Sequence, residues 1–217
     1  MGFKKLGGSD AKKAIDILKA SYKDAHYYLN FNTPIDLMIA AIISAQTRDE
    51  VVNSITPGLF KRFRTLDDYA KASPKEVERY IGGVSFPVPK AANIVKACRI
   101  AKEKWGKVPN SMDDLISLPG IGRKTANTIL INAYGIIDGI PVDTWVIKLS
   151  YRIGLSENTD PEKIERDLMA IVEKKDWKKI AYVLKAHGKA ICQSQAPLCS
   201  KCMINKMCPR NGVTNSK

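Results

Sequence analysis

The chain has 217 residues, enough to bury a sizeable core as one large domain or two small ones. Its 45 % apolar and 26 % charged composition excludes a disordered tail or a fibre, and no apolar run approaches the roughly 20 residues that span a bilayer. A net charge of +13, from 35 Lys+Arg against 22 Asp+Glu, suits a polyanionic partner. The basic residues are spread along the chain rather than massed in a tail, so that charge belongs to folded surface.

The opening Met1-Gly2-Phe3-Lys4-Lys5-Leu6 has no apolar stretch of the kind a secretory signal needs, and Leu6 stands where a myristoylation site wants Ser or Thr. An intracellular protein with no membrane partner is expected, in the cytoplasm and nucleoid if the source is prokaryotic. Residues 1–9 and 209–217 are expected to fray.

Helix signals dominate from there on. Thr33-Pro34-Ile35-Asp36 offers an N-cap, a proline at the first helical position and an acid in the first turn; Ile35, Met38, Ile39, Ile42 and Ile43 follow at helical spacing. Thr65 is a further cap, and Ser73-Pro74-Lys75-Glu76 reads as a capping box. Cys98 lies in an apolar helix with Ile94, Val95 and Ala101, where a buried structural thiol is expected. Ser111 and Asp160 cap later helices, the second leading into Ile164, Leu168, Ile171 and Val172. The pattern predicts an all-α protein of about ten short helices. A strand is conceivable only around Ile136–Val142, and flanking glycines favour a loop there.

Three motifs carry chemistry. In Leu118-Pro119-Gly120-Ile121-Gly122-Arg123-Lys124-Thr125, two helices meet across a turn whose glycines free the backbone for a tight bend and for close approach of a ligand. The N–H groups after Gly122 would point out of a helix N-terminus, a natural anion site. Such a helix-hairpin-helix, at about residues 113–133, grips a DNA phosphate without reading sequence. On the residues alone, Lys124 is as well read as a phosphate clamp as a nucleophile.

The second motif is Pro141-Val142-Asp143-Thr144, in which Asp143 is typed first of all as an N-cap for the helix running through Trp145, Val146 and Leu149. The third is Cys192-x6-Cys199-x2-Cys202-x5-Cys208. Four thiolates so close together hold either a [4Fe–4S] cluster or a zinc ion. Zinc sites usually pair two short knuckles, and here only Cys199 and Cys202 form one, so the spacing favours iron–sulfur.

Taken in order, these motifs resemble the endonuclease III family of DNA glycosylases. Ser44-Ala45-Gln46, Lys90-Ala91 and His187-Gly188 resemble it as well, and the likeness runs in register from about residue 10 to 210. It implies two helical lobes with a DNA groove between them. One would be a six-helix bundle over about residues 27–135; the other would join residues 1–26 to 136–217 and carry the cluster. By the same resemblance Lys124 is the nucleophile and Asp143 the essential carboxylate. Cys192, Cys199, Cys202 and Cys208 are the cluster ligands, and Gln46 fills the gap left by an extruded base. The hairpin's Gly120, Gly122, Arg123 and Thr125 contact DNA, and Phe86 probes the strand opposite.

The implied reaction explains those residue types. A base inside the duplex must be flipped into a pocket before an amine can reach its sugar. A lysine of ordinary pKa, about 10.4, is neutral less than about 0.1 % of the time at pH 7. The start of a helix beside Arg123 disfavours the ammonium. Asp143 at close quarters would favour it, so its better role is stabilising positive charge on the sugar as the base departs. By the resemblance, lysine at this position implies combined glycosylase and AP-lyase activity; the expected substrate is damaged, oxidised pyrimidine in double-stranded DNA, and the expected state a monomer.

Two alternatives stand beside this reading: a glycosylase for uracil or thymine opposite guanine, and a non-catalytic DNA-binding iron–sulfur protein. Departures from the family pattern bear on substrate choice. They are Trp145 where histidine is common, Ser85 and the two prolines in Phe86-Pro87-Val88-Pro89, and the absence of a basic residue between Cys192 and Cys199. The run Lys174–Lys179 reads as a solvated face.

Overall fold

The computed structural model describes residues 2–217 and divides them into two compact units. Tyr28–Asp138 forms one; the flanking segments, up to Tyr27 and from Gly139 to Lys217, form the other. No strand occurs among the described residues, and 135–143 runs as loop before the next helix.

The central unit holds α2 (Pro34–Ile43), α3 (Asp49–Arg62), α4 (Leu66–Lys71), α5 (Pro74–Ile81), α6 (Pro87–Trp105), α7 (Met112–Ile116) and α8 (Arg123–Ile129). Seven α-helices lie in this unit when the short α4 and α7 are both counted. The last continues into a π-helical segment, Leu130–Tyr134. Apart from Asp36 of its capping box, helix α2 is apolar all round, every residue from Ile35 to Ile43 being buried, as suits a helix surrounded on all sides. It packs against α3, α6 and α8. Helix α6, the longest at 19 residues, covers α4 and α5. From it Arg99 donates to the carbonyls of Ala70 and Ala72, at 2.8 and 3.1 Å, closing the end of α4. Cys98 is fully buried on the same helix and its thiol is pushed up to about 12 by burial, which makes it an inert packing group.

Local capping explains the element boundaries. Thr33, Thr65, Ser73, Ser111 and Asp160 each accept the backbone N–H three residues on, and the first three form reciprocal boxes with Asp36, Asp68 and Glu76.

The flanking unit holds α1 (Gly8–Ser21), α9 (Thr144–Ile153), α10 (Pro161–Ile171) and α11 (Lys174–Ala190) around Leu18, Leu149, Ile164, Leu168 and Leu184. Among the described residues the expected fraying of 1–9 and 209–217 is not what the structure shows; Met1 lies outside them. The N–H of Lys4 donates to Asn211 Oδ1, Asn211 Nδ2 donates to the Lys4 carbonyl, and the N–H of Leu6 donates to Gly154, all at 2.9 Å. Further on, the N–H of Lys217 donates to the Pro197 carbonyl at 3.0 Å. Polar side chains at chain ends are read as solvated unless a distant partner is known, and here the partner lies 207 residues away.

The 174–179 run is likewise not one solvated face. Asp176 accepts from Lys19 of α1 at 2.6 Å, and Trp177 Nε1 donates to the Val172 carbonyl at 2.9 Å.

Candidate active site and metal centre

The hairpin is α7, the turn 117–122 and α8. Its two glycines do different work. Gly120 sits at φ +80°, and a Cβ there would come within 3.2 Å of Asn93, so the turn itself requires glycine. Gly122 corrects the expectation that both glycines shape the bend: its φ of −98° is open to any residue. It is exposed, and a Cβ would meet nothing within 4 Å, so the space beside it is open. As N-cap, Gly122 contributes no side-chain hydrogen bond. Arg123 follows exposed, with Lys124 and Thr125 half-buried in the same first turn.

Asp143 begins α9, in the flanking unit. Its Oδ1 accepts from the N–H groups of Trp145 and Val146, both at 2.9 Å, so the cap uses one carboxylate oxygen and Oδ2 takes no part in it. Trp145 turns onto α11. A Cβ on Gly188 would come within 2.3 Å of the indole, which explains why bulky Trp145 and Gly188 occur together. Lys148 Nζ lies 5.1 Å from the centre of the same ring.

In the central unit, the turn after α2 and the turn before α6 are hydrogen-bonded to each other. Gln46 and Phe86 are exposed there, and both take a left-handed backbone at φ 55°. The contacts between these turns come from Ser85 and Lys90, whose roles the sequence did not single out.

The four C-terminal cysteines are brought together. Cys192, Cys199, Cys202 and Cys208 line one small cavity walled by Ile153, Ile191, Leu198, Ile204 and Val213. Among the described residues no three His, Cys, Asp or Glu side chains converge closely enough to hold a single metal ion. Burial raises the thiols of Cys192 and Cys202 and pushes Cys208 up to about 11; the hydrogen bond from Arg152 works against this at Cys192. Thiols so placed become thiolates when a metal takes the proton's place.

Arg152, which sequence reading passed over, and His187, which only the resemblance marked, flank this centre. Buried Arg152 donates through Nη1 to the carbonyls of Cys192 and Gln193, at 3.1 and 2.7 Å, and through Nη2 to that of Ser194, at 2.8 Å. His187 places Nε2 3.6 Å from Cys202 Sγ, with Tyr22 Oη 3.0 Å from its Nδ1; burial pushes the imidazole down to about 4, so it is neutral at physiological pH. A lone arginine on a helix carries no periodic signal, and His187 stood out only by family resemblance.

Comparison with known proteins identifies the family. The model of the HhH-GPD superfamily of base excision DNA repair proteins matches residues 39–174. The endonuclease III of Synechocystis sp. is 43 % identical over 200 residues, covering 92 % of this chain and 91 % of that one; that of Bacillus subtilis is 33 % identical, covering 94 % and 93 %. A trapped covalent intermediate of an endonuclease III with DNA superposes with a TM-score of 0.91 at 34 % identity, over 94 % of this chain and 97 % of that one. A thermostable thymine-DNA glycosylase, at TM-score 0.84 but 18 % identity, shares the fold alone. The chain therefore belongs to the HhH-GPD superfamily of base excision DNA repair proteins, and its similarity within it, over nine-tenths of the chain, is to endonuclease III. No helix among the described residues is long and apolar enough to cross a membrane.

Proposed function

We propose that this chain is a base-excision DNA glycosylase and AP lyase that removes oxidised pyrimidines from double-stranded DNA, with Lys124 as its nucleophile. The observation that carries the reading is Lys124 in the first turn of α8, behind a hairpin whose Gly122 leaves the helix start open. That a relative at 34 % identity has been trapped as a covalent intermediate with DNA supports a covalent route.

In this reading a phosphate of the damaged strand docks at the hairpin beside Gly120, Gly122, Arg123 and Thr125, and the damaged base is extruded. The neutral Lys124 amine attacks C1′, the C1′–N bond to the base breaks, and the base leaves with a proton. Opening of the sugar ring gives a Schiff base on Nζ. Loss of a C2′ proton and of the 3′ phosphate then cuts the strand by β-elimination, and water releases the enzyme. Asp143 stabilises the positive charge that grows on the sugar and relays protons through Oδ2, the oxygen its cap does not use.

Cys192, Cys199, Cys202 and Cys208 would hold a [4Fe–4S] cluster. Four thiols spread around one apolar cavity suit several irons better than a single zinc ion. A cluster held there would tie the C-terminal loop to the end of α11, and no bond-breaking step needs it. The chain is read as an intracellular monomer.

The test is borohydride trapping on duplexes carrying thymine glycol, dihydrouracil, uracil opposite guanine, or an abasic site. Trapping on the first two is expected to be fast, and Lys124→Ala is expected to abolish it on all four. An adduct that persists in Lys124→Ala removes Lys124 from the role, and preference for uracil opposite guanine moves the substrate to mismatches. Iron and sulfide at about four each per chain are expected from the purified protein; stoichiometric zinc would overturn the cluster.

A further inference from the structure

The turn 44–47 and the turn 82–86 lie nearly 40 residues apart in sequence, yet they are joined through one buried ammonium. Lys90, in the first turn of α6, is only 6 % exposed. Its Nζ donates to the Ala45 carbonyl at 2.6 Å and to Thr47 Oγ1 at 2.9 Å. Thr47 Oγ1 also accepts the N–H of Ser85 at 3.2 Å, and Ser85 Oγ donates to the Gln46 carbonyl at 2.9 Å. The next residue is Phe86. This network therefore surrounds two residues with a feature in common: Gln46 and Phe86 each hold a left-handed backbone that side-chain-bearing residues seldom adopt, and each is exposed, Phe86 at 63 %.

The chemistry of the link is informative. An ammonium bonded only to a carbonyl and a hydroxyl recovers part of what it loses on leaving water, and burial lowers the Lys90 pKa. An apolar side chain of the same length would fill the space without that cost. What the ammonium adds is several donors on one atom, able to hold two acceptors of another turn at once. A strained, solvent-facing residue keeps its conformation only when its surroundings over-determine it, and here the surroundings are these four hydrogen bonds.

We propose that Lys90 is a positioning residue that locks the two turns together, so that Gln46 and Phe86 meet the duplex as one preset pair. The inference rests on the glycosylase reading above and deepens it. Insertion into the stack then costs little ordering, because both side chains start from fixed stems. The ligand of the pair is the duplex around the extruded nucleotide. A single strand has no opposite base and no stacked gap, so it makes no demand on the lock.

The experiment compares Lys90→Met, which keeps the stem and removes the donors, with Thr47→Val, which keeps the shape and removes the shared hydroxyl. Two substrates are used: a duplex with thymine glycol beside a 2-aminopurine, and a single strand with an abasic site. For both variants, single-turnover excision from the duplex is expected to fall by about tenfold or more, and the 2-aminopurine signal for base extrusion to slow with it. Cleavage of the single strand is expected to stay within about threefold of wild type. Should Lys90→Met fail to fold, Thr47→Val carries the test alone. Equal losses on both substrates, or duplex rates matching wild type, would overturn the positioning role. A wild-type protein inactive on both substrates would overturn the glycosylase reading, and this inference with it.

Discussion

Helices α8 and α9 carry the two residues read as catalytic, and they begin in opposite ways. The N-cap of α8 is Gly122, which has no side chain to offer, and its first turn holds Arg123 and Lys124 with no acid. The N-cap of α9 is Asp143, whose Oδ1 satisfies two of the first N–H groups of that helix. Both starts present the positive end of a helix dipole. At α9 the protein supplies the negative charge itself; at α8 it supplies cations instead, which the dipole disfavours. A helix start whose N-cap offers no side chain, with basic residues in its first turn, is suited to an anion from outside. A start that binds its own carboxylate fixes that carboxylate in one orientation. In the proposed reading the same backbone feature would receive charge in one unit and aim charge in the other.

This contrast can be broken or sharpened experimentally. The largest effect is expected from Lys124→Ala, which should lower strand cleavage by about a thousandfold or more while leaving the melting temperature nearly unchanged, since alanine suits a helix. Next comes Asp143→Asn. Asparagine still accepts the two N–H bonds, so stability should move by less than about 0.5 kcal/mol, yet excision should fall by about a hundredfold through loss of the charge. Asp143→Ala should add a stability loss of about 1 kcal/mol. If the Asp143→Asn protein excises at the wild-type rate, the cap is the whole role of this carboxylate.

A smaller effect is expected at Gly122. Gly122→Ala meets no internal contact and no backbone strain, so thermal unfolding should not change, while DNA affinity should drop by about tenfold because the methyl occupies the space of the phosphate. Gly120→Ala should do the reverse first: its left-handed backbone and Asn93 predict a stability loss of roughly 1–2 kcal/mol, read as a shift of a few degrees in melting.

Much of the fold was legible because its signals are local. Thr33, Thr65, Ser73, Ser111 and Asp160 each sit one residue before the helix they announce, and each caps it. The cysteine spacing was legible for the same reason. What escaped were contacts made at long range by single polar residues: Arg152 on the 192–194 carbonyls, Lys90 on the 45–47 turn, and Asn211 on Lys4. None of these has a period or a neighbour in sequence to mark it. The π-helical segment after α8 left no signal either, since it differs from an α-helix only in which carbonyl each N–H reaches. The distinction between Gly120 and Gly122 needed backbone angles, because one glycine answers to strain and the other to open space.

The hydrogen bonds between Asn211 and Lys4 have a consequence for synthesis. The central unit is one uninterrupted stretch, so it has all its residues once Asp138 has left the ribosome, and it can fold while the rest is still being made. The flanking unit cannot close until residue 211 is available to meet residue 4. The four cysteines enter this late unit last, after its other helices. In the proposed reading, any metal would therefore be taken up by a chain whose hairpin is already formed, and a polypeptide truncated shortly before Cys208 would carry a finished hairpin on an unclosed flanking unit.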